Sequence, residues 1–307
     1  MNFVYILICL SLISHTVRIS VVQILIENLN SIHLSCIQSS PPNLESLSAL
    51  HALVCGQSFS AASDKEILIA SGLIHLFVVS GGHLTFLKKS FNSILEKLCN
   101  EHISASFVAQ LAILGLLFFY CAVCNFNAPV VRSFISLFFI FALSFLGLRW
   151  RLENLVLISG LSCLVLAPEW TASLSLQMNW IAALTVVVIY KLFRLSSRLF
   201  KSSLFYFQFL GAFNFLGFPS LLSIGVVTVA APLLANILFP LGLLVYAIPQ
   251  MAVLFDFCIH TMDFVLNHLE LHMIFRPSDS EKLVFINWVF IFSLHFFLMF
   301  TKAEAYE

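Results

Sequence analysis

The chain has 307 residues, of which 60% are hydrophobic and 10% charged, and its 15 basic and 15 acidic side chains give a formal net charge of +0. A soluble domain carries roughly 25% charged residues, so a mean hydropathy of +1.01 with so few charges excludes a water-covered globule and marks an integral membrane protein. The neutral balance also excludes an overall basic field, so any binding of nucleic acid has to rest on local basic loops and a lined path.

The first apolar run, residues 3 to 14, has no Lys or Arg before it and no evident small-residue cleavage site. It reads as a membrane anchor within residues 1–26, with Arg18 an untidy feature, and not as a removable signal. Residues 27–66 form a polar extracytoplasmic segment. They hold Cys36 and Cys55, which are free to pair if the segment faces an oxidising compartment.

Residues 67–87 are apolar enough to enter a bilayer yet carry His75, Ser80, Gly81, Gly82 and His83. Imidazoles and a glycine pair at membrane depth are tolerated only where they face protein or a water-filled path. The segment therefore reads as lining. His75 and His83 are eight residues apart with no third ligand in evidence, so a packing or path-lining role is expected of them and a metal is not.

Crossing a hydrocarbon core of about 30 Å takes about 20 apolar residues. Residues 105–124, 129–147, 172–190, 221–247 and 283–300 satisfy that. Residues 152–167 are short but bounded by Arg149 and Arg151 on one side and by Pro168 and Glu169 on the other, which suits a tight crossing. Residues 204–218 are shorter still, and either cross, dip in or lie at the interface. Cys121 and Cys124 have CxxC spacing but end an apolar run with no second pair, which reads as core.

Basic residues set the orientation: Lys88, Lys89 and Lys97; Arg149 and Arg151; and Lys191, Arg194, Arg198 and Lys201 all fall in loops expected to be cytoplasmic, while residues 125–128 and 168–171 carry no Lys or Arg. The N-terminus is then cytoplasmic. The side of the C-terminus stays open.

Several polar residues sit at membrane depth, where an Arg at a helix centre costs about 2.5 to 3.5 kcal/mol on insertion. Arg132 either snorkels to the outer interface or faces the bundle interior. Gln177, Asn179 and Asn236 either hydrogen-bond between helices or, with the helix-breaking Pro232 and Pro240, line a path. Asp256, His260, Asp263, Asn267 and Glu270 make a polar stripe on one helix, either amphipathic at the interface or lining a vestibule. No HExxH, GxSxG or Walker pattern occurs, so neither catalysis nor a cofactor is expected.

The fold expected is an all-α integral membrane protein, a polytopic helical bundle of about 7–9 spans, some broken or re-entrant. Residues 67–247 make its channel-like domain, and residues 248–307 supply an amphipathic helix and a final span.

The ordered residues Gly72, Leu73, His75, Leu76, Val79, Ser80, Gly81 and His83 resemble a span of the membrane competence domain of ComEC-type bacterial DNA-uptake proteins, roughly G-L-x-H-L-L-A-I-S-G-L-H. Cys55-Gly56-Gln57-Ser58 is similar to the family's short glycine turn, and Ala128-Pro129-Val130-Val131-Arg132-Ser133 to its P-S-x-x-R-A stretch. Asn154 and Pro168 fall at its P-x-N and D-P positions. Leu176 to Trp180 resembles its F-Q-L-S-F, and Leu234 to Pro240 its N-x-x-x-x-P. The likeness runs in order over residues 48–247. Gly82 departs from the family's Leu, Asn179 from its Ser, and Glu169 belongs to no acidic-proline pair.

Full-length relatives add an OB-fold domain and a metallo-β-lactamase-like domain, for which this chain has no room, so zinc-nuclease activity is not carried over. The resemblance implies a multi-pass protein of the bacterial inner membrane that passes single-stranded DNA into the cytoplasm during natural transformation. His75, Ser80, Gly81, Gly82, His83, Arg132, Gln177, Asn179 and Asn236 are its candidate lining or DNA contacts. It also implies, as partners, a separate OB-fold or metallo-β-lactamase-like protein and other uptake machinery, and leaves a homo-oligomer open. The rivals are a transporter of another polar solute or ion, and a non-transporting membrane scaffold.

Overall fold

The computed structural model describes residues 21–57, 81–98, 107–192, 232–269 and 280–300, with isolated positions at 68, 73, 226, 229 and 230. Among the described residues the regular elements are helical and no strand occurs. Helix α1 (Val21–Gln38) leads to a short helix α2 (Leu47–Leu50), which widens into a π-helical turn, His51–Cys55. Then follow α3 (Gly81–Leu98), α4 (Phe107–Val123), α5 (Ala128–Phe145), α6 (Leu152–Leu166) and, after a 3-10 turn at Pro168–Ala172, α7 (Leu174–Leu192). A second π-helical turn, Leu234–Leu238, opens α8 (Phe239–Ala247). Helices α9 (Ala252–His268) and α10 (Ser280–Phe300) complete the described chain.

Helix α5 packs along α6 and against α3, α4 and α7, so it sits at the centre, and α10 closes over α7. Among the described residues α5 is the one helix long and apolar enough to cross a membrane, while Phe107–Val123, Leu152–Leu166, Leu174–Ile189, Leu234–Ala247 and Val284–Leu298 are apolar but shorter.

Two aromatic side chains organise the interior. Phe239, fully buried, stands at the end of the second π turn, its ring centroid 4.2 Å from that of His83, 5.8 Å from Phe86 and 6.3 Å from Tyr120. Trp180, also fully buried, meets Trp288 edge-on at 5.5 Å and donates its Nε1–H to His295 Nε2 at 3.0 Å. That bond satisfies both polar edges in an apolar core, where each would otherwise carry a desolvation cost.

The segment after α1 is clamped to the bundle. Gly56 ends the first π turn at φ +73°, which a side chain would strain, and a Cβ there would lie 2.8 Å from Asn127 Nδ2. Asn127 Nδ2 donates to the Gly56 carbonyl at 2.5 Å, and Tyr120 Oη donates to the Val54 carbonyl at 3.2 Å. Cys36 and Cys55 form a disulfide with their Cα atoms 6.0 Å apart, so the pairing left open by the sequence is present. Tyr246 Oη lies 3.1 Å from Cys55 Sγ. Cys121 and Cys124 are free and buried.

The polar stripe on α9 has a docking role. Asp256 accepts the backbone N–H of Glu45 at 3.2 Å and of Ser46 at 2.8 Å, and His260 Nε2 meets Glu45 Oε2 at 3.0 Å. Two members of the stripe thus hold the residues leading into α2.

Candidate functional site

His75 and Ser80 lie outside the described residues. Gly81, Gly82 and His83 head α3. Pro129 sits in the first turn of α5, where its missing N–H costs nothing, and the helix then places Arg132 and Ser133 side by side, both buried. A Cβ on Gly81 would collide with Ser133 Oγ, and Asn179 Nδ2 stands 3.9 Å from that same point. Arg132 donates its Nε–H to Asn179 Oδ1. The start of the described α3, the second turn of α5 and the first third of α7 therefore meet at one junction of Gly81, Arg132, Ser133 and Asn179.

Arg132 is 6% exposed, so it faces the bundle interior and does not snorkel outward. Its Nη1 is buried and has no hydrogen-bond partner among the described residues. A buried guanidinium without a carboxylate costs several kcal/mol. The junction is thus electropositive and under-satisfied.

The remaining predicted residues lie elsewhere. Gln177 Nε2 donates to the carbonyls of Thr171 (3.2 Å) and Val284 (3.3 Å), and its Oε1 accepts from Asn287 Nδ2 at 3.1 Å. This is an interhelical amide clasp between α7 and α10. His83 is buried against Phe239, a packing position. Asn236 is exposed on the second π turn, and its Nδ2 donates to the Pro232 carbonyl at 2.8 Å.

One feature escaped the sequence reading. Along α3, Gly82, Thr85, Lys89, Ser93 and Glu96 are all exposed, at spacings of three and four that put them on one face, while His83, Leu84 and Leu87 on the other face are buried. The spacing is countable in the sequence, but a span expected to end at Leu87 with a basic loop after it cuts across what is one continuous helix. Clusters of three or more potential metal ligands do not occur among the described residues.

The family model for Competence protein matches residues 53–302, from the first π turn to just beyond α10. The chain belongs to the Competence family. It is also 28% identical over 224 residues to an uncharacterized protein of Aquifex aeolicus (strain VF5), a match that covers 71% of this chain and 49% of that protein. The chain therefore spans about half the length of that relative. No solved structure matches. Every residue of the Gly81 junction and of the α3 stripe falls inside the family match.

Proposed function

We propose that this Competence-family chain is a polytopic protein of the bacterial inner membrane whose bundle carries single-stranded DNA into the cytoplasm during natural transformation. The observation that bears most weight is the α3 stripe, an exposed polar face running the length of a helix that packs against α4 and α5, in a bundle that also exposes large apolar side chains. Val108 is 73% exposed, Val253 77% and Phe285 70%. Apolar side chains in such numbers suit acyl chains, whereas Thr85, Lys89 and Ser93 suit water and a solvated backbone.

Several spans in this reading are short for a bilayer of about 30 Å, which is acceptable for helices tilted, broken or held inside protein. The Cys36–Cys55 disulfide supports placing that segment on the oxidising, extracytoplasmic side. Arg149, Arg151 and Lys97 in the last turn of α3 are then cytoplasmic. No catalytic step is assigned to the residues of the bundle.

Deletion of the gene tests the proposal. Labelled DNA should still bind the cell surface but fail to reach a nuclease-protected cytoplasmic pool, and transformation should be lost. Unchanged internalisation would sink it.

A further inference from the structure

Two sources of positive potential lie by the junction of α3, α5 and α7. Helix α5 begins at Ala128, one turn before Arg132, and has no acidic residue in its first turn. Its N-terminus carries roughly half a positive charge, which favours an anion nearby. The second source is the Arg132 guanidinium, fixed by the Asn179 amide that also faces Gly81. A cation at a helix N-terminus is the wrong sign for the dipole, and here it is also buried with Nη1 unpaired among the described residues. Neither neighbour offers it an anion: Asn179 and Ser133 are neutral.

We infer that this junction is an oxyanion site that takes one phosphodiester of single-stranded nucleic acid, with the Arg132 Nη1 as the charged donor and Ser133 Oγ beside it. The inference rests on the DNA reading above and names where the strand is held. The phosphate supplies the missing acceptor and the missing negative charge together, and guanidinium geometry suits its paired oxygens. Arg132 faces the interior of the bundle, away from a lipid headgroup at its rim.

Asn179→Asp is the decisive variant, because it puts a carboxylate of the same shape on the guanidinium. The fold should gain thermal stability as the buried charge is paired, while the phosphate contact is lost. The full chain in phosphatidylcholine nanodiscs is titrated with fluorescein-labelled oligothymidylate at several salt concentrations. One lost contact reduces the slope of log affinity against log salt by about 0.7, so that between about 50 and 200 mM salt the variant's affinity falls roughly 2.6-fold less than that of the wild type.

Arg132→Gln should show the same reduced slope whatever its stability. Wild-type slopes in both variants would overturn the site while leaving the DNA reading standing. A wild-type protein that binds no oligonucleotide would overturn both. If phosphatidylglycerol added to the nanodisc binds in an Arg132-dependent way while oligonucleotide binding is insensitive to both substitutions, the site belongs to a headgroup and the inference fails.

Discussion

Replacing Cys36 and Cys55 together by Ser removes the covalent link between α1 and the first π turn without leaving a lone thiol. The two cysteines are 19 residues apart, and closing a loop of that length removes chain entropy worth about 3 kcal/mol at 25 °C. At about 2 to 4 °C per kcal/mol for a chain of this general size, the melting temperature should fall by roughly 6 to 12 °C. Melting of the detergent-solubilised protein, followed by fluorescence-detected size exclusion, gives the shift, and maleimide labelling with and without reductant gives the thiol count. Reductant should lower the wild-type melting temperature and leave the double variant where it is. Equal melting of both proteins, with Cys36 and Cys55 open to maleimide before reduction, would refute the pairing and remove the support it gives to an extracytoplasmic location.

Gly160→Ala places a methyl group into the ring of Trp180, and overpacking of this kind should cost about 1 to 3 kcal/mol, visible as a lower melting temperature and altered tryptophan fluorescence. Gln177→Leu leaves the buried Asn287 amide without its acceptor and should destabilise by about 1 to 3 kcal/mol, whereas Gln177→Leu with Asn287→Leu should recover most of that loss; a double variant worse than the sum of the singles would rule out the clasp. His51, outside the proposed spans and 3.1 Å from Ser40 Oγ, has its pKa lowered from 6.5, chiefly by burial. The unfolded chain therefore takes up a proton before the folded one does, so stability should hold above pH 6.5 and fall as the pH drops through 6.5 towards the depressed folded value. His51→Gln should flatten that acid slope, and an unchanged slope would show that His51 does not govern it.

Much of the bundle was legible because apolar length and breaks in polarity are local properties. The expected runs at 105–124, 129–147, 152–167 and 172–190 coincide with α4, α5, α6 and α7 to within a few residues, and the break before Pro240 appears as a π turn. Partners were harder to read. Gln177, Asn179 and Arg132 were all identified as polar groups at depth, but which of them meet depends on helix packing, and Gln177 and Asn179, two residues apart on α7, point to different neighbours. The α9 stripe was visible as a periodicity, yet its docking of Glu45 and Ser46 spans more than 200 residues of sequence, a separation no local pattern encodes. His83, expected either to pack or to line a path, is buried with its ring tilted against Phe239, a contact an imidazole makes as readily as it faces water.

The proposed path is tested most directly by trapping DNA in transit. A photo-crosslinking amino acid is placed at Thr85, on the polar face of α3, and separately at Phe285, on the exposed apolar face of α10, in cells taking up labelled DNA. Irradiation should join the incoming strand to position 85 and leave position 285 unlabelled. Crosslinks at 285 but not at 85, or at neither while uptake proceeds, would contradict a strand passing along the polar face of α3.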